Sequence, residues 1–316
     1  PPAANPPQAP PPGAPPGSGR RRVWLGGLLA LAGLALGLVL WSRRPPADEG
    51  AARARLLERR PAPSELNVLF VTLDTLRADR LGCYGFTGVE TPNLDALASE
   101  GVLFEQATST VPITLPAHTS IFTGLVPPHH GVRDNGGFVL DEARTTLAER
   151  LKAGGWATGA FVAAWVLDSR WGLDQGFDHY DDRFDLSKFK VVSLGTVQKP
   201  GDEVADEALA WLETVRDRKF FAWVHLYDPH TPYEPPEPFK SRYPRQPYLG
   251  EVAYTDQVVG RLVSWLKAAG KWDSTVLVLM ADHTYCYTPA VLKIRELIED
   301  GALGDILFLD SVRINL

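Results

Sequence analysis

Residues 66–74 read LNVLFVTLD, an almost unbroken apolar and β-branched run that ends on a carboxylate. A run with no polar alternation predicts a strand buried on both faces. Residues 275–280, TVLVLM, repeat the pattern and run through Ala281 into Asp282-His283. Between them the spacing predicts helices over 93–100, 145–152, 202–216 and 248–269, and strands over 156–163 and 220–226. Buried strands alternating with helices imply an α/β fold with a largely parallel sheet covered on both faces. Ligands of such sheets gather outside the carboxyl ends of the strands. Asp74, Asp282 and His283 are therefore the first candidate site residues, with the oxygen and imidazole donors that a divalent cation needs. Taken alone, Asp74 would also serve as a helix cap or a partner of Arg77, and Asp282-His283 as a turn with a surface histidine.

Outward from this core the composition narrows the choices. The 316 residues carry 32 Lys+Arg against 38 Asp+Glu, a net charge of −6. Nine Arg and three acidic residues lie in 1–60, about +6, so the remainder holds about −12. That remainder has no surplus charge for a phosphate backbone, which excludes a basic nucleic-acid binder. Two cysteines, Cys83 and Cys286, exclude a disulfide framework or a thiolate zinc module. The chain opens on Pro1 and its one methionine is Met280, which suggests an incomplete reading frame.

Residues 1–22 form a proline-rich tail ending in three arginines, expected to be disordered. VWLGGLLALAGLALGLVLW, residues 23–41, follows and is flanked by Arg43-Arg44. Nineteen uncharged residues match the ~30 Å core of a bilayer at ~1.5 Å each, and Trp24 and Trp41 stand at interfacial positions. One transmembrane anchor is expected, then a linker over 42–65. Arginines are more numerous on the C-terminal flank, but long domains cross membranes regardless of charge. The expectation is a single-pass membrane protein with an extracytoplasmic domain.

Three further motifs carry possible chemistry. Thr114-Leu-Pro-Ala-His118 opens a helix, and a hydroxyl there meets free N–H groups and the positive dipole end, which favour an anion. It is either an ordinary cap or, beside a metal, a nucleophile. His225-Leu-Tyr-Asp228-Pro-His230 ends a strand; its histidines are ligands, acid/base groups or an exposed polar turn. His130 and Asn135 lie in PPHHGVRDNGG, either a solvated loop or an anion contact. His179 and the acidic run after it read as surface.

Five blocks, NVLFVTLDTLRADRLGCYG, TPNLDALASEGVLFEQATS, TLPAHTSIFTG, HLYDPHTPYEPP and LVLMADH, in this order resemble the sulfatase-like branch of the alkaline phosphatase superfamily. The resemblance spans residues 67–283. It implies an α/β/α sandwich, an anionic ester substrate and one divalent cation (Mn, Mg, Ca or Zn) held by Asp74, Thr114, Asp282 and His283. It also implies Thr114 as nucleophile, His230 facing the substrate or leaving group, and His225, His130 and Asn135 as substrate contacts. Sulfatases place Cys or Ser, oxidised to formylglycine, where Thr114 stands, so no formylglycine is expected. Thr75 replaces the second aspartate of the sulfatase Asp-Asp pair, and the GKWHLG block is absent. A threonine nucleophile looks more like lipoteichoic acid synthases and phosphoethanolamine transferases. Phosphoester or phosphodiester chemistry is therefore expected ahead of sulfate ester hydrolysis; a catalytically dead fragment is the rival from another class.

After Asp282-His283 the chain departs from that pattern. Residues 284–316 resemble an internal helix–strand piece of Gfo/Idh/MocA-type oxidoreductases, which suggests a truncated catalytic domain over 66–283 joined to foreign sequence. No Gly-rich nucleotide fingerprint accompanies the piece, so no NAD is expected.

Overall fold

The computed structural model describes residues 65–105, 107 and 109–282, with the backbone alone at Asp282. The anchor at 23–41, His283 and the tail at 284–316 lie outside the described residues. Among the described residues no helix is long and apolar enough to cross a membrane.

Five strands form one sheet: β1 (Asn67–Asp74), β2 (Ala157–Val162), β3 (His179–Asp181), β4 (Phe220–Leu226) and β5 (Thr275–Asp282). Their order is β3-β2-β4-β1-β5 and every pairing is parallel. The carboxyl ends therefore share one edge, as the buried apolar runs required. The helices that matter for the site are α1 (Pro92–Glu100), α2 (Thr114–Thr123), α3 (Leu147–Ala153), α4 (Gly201–Thr214) and α5 (Pro247–Ala268). Thr146 and Glu149 form a reciprocal capping box at the start of α3, satisfying two orphan donors.

Strand alternation decides which side chains meet which helix. On β4, Phe221 and Trp223 pack against Phe122 of α2, at ring separations of 6.4 and 4.5 Å. Phe220 points the other way and meets Trp265 of α5 at 6.2 Å. The sheet is thus sandwiched between helices. His225 has the parity of Trp223 and belongs to the α2 face. On β1, Phe70 packs on Phe122 and Thr72 accepts from the Trp223 indole at 2.9 Å. Asp74 shares their parity. The same alternation that builds the core therefore delivers Asp74 and His225 beneath the start of α2.

One element escaped the sequence reading. His179–Asp181, read as surface, is the edge strand β3. His179 is exposed, but Asp181 is 1% exposed because Lys199 reaches its carboxylate at 2.9 Å and Arg183 also binds it.

Candidate active site

Asp74 ends β1 fully buried, and Thr114 is the first residue of α2, also buried. The Thr114 hydroxyl donates to Asp74 Oδ2 at 3.0 Å. Asp74 Oδ1 is buried without a hydrogen-bond partner, as are both ring nitrogens of His225, whose Nε2 lies 3.8 Å from Asp74 Oδ2. Arg77, the alternative partner for Asp74, pairs with Asp79 instead. In the β1–β5 register Asp74 stands directly beside Asp282, so two aspartates end neighbouring parallel strands.

Behind Thr114, His118 is completely buried on the same helix. Its Nδ1 lies 2.8 Å from the Thr114 carbonyl, an acceptor only, so Nδ1 carries the proton. Burial first, and the neighbouring His225 next, lower its pKa to about 3, which keeps the ring neutral. It rests against Trp223 and His225 at 5.5 and 5.1 Å. The i, i+4 spacing of TLPAH was the available signal for this contact.

A cavity of about 360 Å³ opens in front of Thr114, with Thr75, Asn135, Tyr227, His230 and Tyr233 among its polar walls and Val166 and Leu194 among its apolar ones. Asn135 Oδ1 accepts from Leu115 N–H at 2.9 Å, which orients the amide and leaves its NH₂ end to donate. His230 stacks on Tyr227 at 4.1 Å, and its Nδ1 lies 2.7 Å from the Thr231 carbonyl. That carbonyl also only accepts, so Nδ1 is protonated and Nε2 is the nitrogen left for a ligand.

Two of the expected substrate contacts, His225 and His130, lie back from this cavity. His225 does not line the cavity; its strand parity buries it at 0% exposure behind Asp74. His130 is 3% exposed and away from the cavity. Its Nδ1 accepts from Val132 N–H at 3.1 Å, and its Nε2 lies 3.0 Å from the Ser120 hydroxyl, which donates to the Pro116 carbonyl. The ring is an internal strut of α2, and burial lowers its pKa.

In sequence, Thr75 stands out only as a replaced aspartate. It holds a left-handed φ of 52°, the one non-glycine positive φ among the described residues. A β-branched side chain is rare there. Its hydroxyl donates to the Pro229 carbonyl at 2.8 Å, and its own carbonyl accepts from Tyr248 at 3.0 Å. No sequence pattern announces such a backbone.

Among the described residues no three His, Cys, Asp or Glu side chains form a cage for a metal ion. The donor chemistry nevertheless fits one. A buried carboxylate oxygen without a donor and a hydroxyl on its sister oxygen are hard oxygen ligands at one sheet end, where a second aspartate stands in register on the neighbouring strand.

The comparisons agree with this architecture. The family model described as Sulfatase matches residues 66–295. An ulvan-active sulfatase of Formosa agariphila is 27% identical over 271 residues, covering 73% of this chain and 53% of that protein. Mouse steryl-sulfatase is 34% identical over 153 residues, 45% of this chain and 24% of its own. The solved phosphonate monoester hydrolase of Agrobacterium radiobacter superposes with a TM-score of 0.57 at 23% identity, covering 69% of this chain and 62% of that one. The chain thus spans about half or less of the curated relatives it is compared with here.

Proposed function

The chain belongs to the sulfatase family, and from that premise we propose that it is an ester hydrolase or phosphotransferase with Thr114 as nucleophile, acting on phosphoesters or phosphodiesters ahead of sulfate esters. The observation that carries this reading is the Thr114 hydroxyl bound at 3.0 Å to Asp74 Oδ2 at the mouth of the cavity. Asp74 Oδ2 holds the hydroxyl proton, which turns the oxygen lone pairs away from the carboxylate. Thr114 then attacks the phosphorus centre, its proton passing to Asp74 Oδ2 as the P–O bond to the leaving group breaks, and the departing alkoxide takes a proton from water; the phosphothreonine left behind is resolved by water or an acceptor alcohol. Asn135 donates to an anionic oxygen of the substrate, and His230 Nε2 meets the leaving group. Asp74, Thr114, Asp282 and His283 would hold a divalent cation, which supplies charge neutralisation and a lowered hydroxyl pKa when bound. Threonine cannot become the aldehyde that cysteine or serine yields, which is why sulfate ester hydrolysis stands second. The relatives described as sulfatases favour it.

Matched aryl phosphate, phosphodiester and sulfate substrates test the reading. Faster turnover of the phosphorus esters, with a phosphoryl adduct on Thr114 seen by mass spectrometry and absent in Thr114→Ala, is expected. Faster sulfate turnover that survives Thr114→Ala would overturn it. We propose further that residues 23–41 anchor the protein in a membrane with the catalytic domain on the extracytoplasmic side. Their support is the nineteen-residue uncharged span between arginines. Release of the chain from membranes by high salt without detergent would refute the anchor.

A further inference from the structure

The loop from Asp228 to Glu234, which carries His230, is fastened by two carboxyl groups that take no part in the reaction above. Asp228 Oδ2 accepts from Gly201 N–H at the start of α4, at 2.9 Å, and its carbonyl accepts from the Thr255 hydroxyl of α5, at 3.0 Å. At the other end of the loop, Glu234 N–H donates to Glu251 Oε1 of α5 at 2.7 Å. Glu251 is 3% exposed, and its Oε2 is buried with no N–H or hydroxyl donor. The two carboxyl groups are near enough to act on each other directly, each bearing on the other's protonation. Carboxylate oxygens only accept, so a hydrogen bond between them requires a proton on one of the two groups. Burial first, and the Asp228 charge next, push the Glu251 carboxyl up to about 8. The groups acting on the pair are Asp202 on α4, Glu234 on the loop and the Tyr254 phenol on α5, whose oxygen accepts from Asp202 N–H at 2.8 Å.

We propose that Glu251 is a positioning residue for His230: through a proton shared with Asp228 it ties both ends of the Asp228–Glu234 loop to the helices beneath, and loss of that proton loosens the loop. The proposal rests on the reading of His230 given above, but the latch itself is measurable without turnover. The sign follows from linkage. The closed latch keeps a proton that the open one, with Glu251 in water, gives up. Opening is therefore favoured as pH rises from the ordinary glutamate range to the raised value, by up to about tenfold per pH unit. Above that value both forms are ionised and the dependence levels off.

Hydrogen exchange on the full chain, divided by the intrinsic rate at each pH, tests this. In the wild type the opening constant of the amides of His230, Thr231, Tyr233 and Glu234 should rise by up to about tenfold per unit between pH ~6 and ~8, while β4 amides stay protected. Glu251→Gln puts a permanent N–H donor where the proton sits and should leave the loop closed with no such slope. Glu251→Ala should open it at every pH. With an aryl phosphodiester, Glu251→Ala should lower kcat about tenfold or more while changing KM less, and Glu251→Gln should restore kcat. A pH-independent loop in the wild type, or the same slope in Glu251→Gln, would overturn the latch. Exchange as expected with kcat untouched by Glu251→Ala would leave the latch standing. It would overturn the positioning of His230, while Thr114 chemistry is judged separately by the adduct.

Discussion

Thr75 and His130 mark what a single residue's identity does and does not announce. Thr75 keeps a left-handed backbone and spends its hydroxyl on the Pro229 carbonyl. Thr75→Ala loses that bond, about 1 kcal/mol, and keeps the strained φ. Thr75→Gly loses the same bond but relaxes the backbone, so it should be the more stable variant by up to about 1 kcal/mol. Urea midpoints of the two decide it, and a more stable alanine variant would contradict the strain. His130 and Asn135 lie five positions apart in one polar loop, and as letters they were equal candidates for a substrate contact. The structure separates them because the short turn Pro127–His130 folds the ring inward onto Ser120, while Asn135 reaches the first turn of α2 at the cavity wall. Burial lowers the pKa of His130, so the unfolded chain takes up the proton first. Its contribution to stability is complete above the ordinary histidine value and is lost as pH falls below about 6.5. His130→Gln should flatten that acid slope and leave KM unchanged; a raised KM with an unaltered slope would restore His130 to the substrate site.

Elements were legible where an apolar period ran long enough to name them. The strands β1, β2, β4 and β5 and the helices α1, α3, α4 and α5 fall within a residue or two of their expected bounds, because burial on one or two faces leaves a period that local residues cannot disguise. The edge strand β3 was missed for a physical reason. Three residues long, it carries a histidine and an aspartate, and its burial comes from charges placed elsewhere in the chain. Lys199, 4% exposed, binds Asp181 at 2.9 Å and Glu207 at 2.6 Å. Removing one partner from a buried ion pair strands the other charge and costs about 3–5 kcal/mol. Lys199→Ala should show a loss of that order by denaturant unfolding. By contrast Lys152 and Asp178 form an exposed pair, with side chains 48% and 44% accessible. Lys152→Ala should cost about 0–1 kcal/mol. Equal losses would mean that the Lys199 cluster is a surface feature.

At the scale of the whole molecule, the parallel sheet could be expected but its order could not. Strands buried on both faces look alike in sequence and carry no label for their neighbours, so β3-β2-β4-β1-β5 had to be observed. That order puts β1 between β4 and β5, which is what brings Asp74 beside Asp282 and above His225. The site is therefore a property of three segments some 60 to 210 positions apart, and a cation bound there would tie distant parts of the chain together only in the folded state. A ligand that binds the native state alone stabilises it by about 2.7 kcal/mol at a hundredfold excess over its Kd. For a domain of this size that is a rise in Tm of about 5–10 °C. Titrating Mn²⁺ into the metal-free protein and following thermal unfolding should give such a rise. Asp74→Asn, which removes a charge from the buried oxygen pair, should abolish most of it. Lys152→Ala, on the exposed pair remote from these strand ends, should leave it intact. A rise that is undiminished in Asp74→Asn would place the bound cation elsewhere, and Thr114 would then have to act without one.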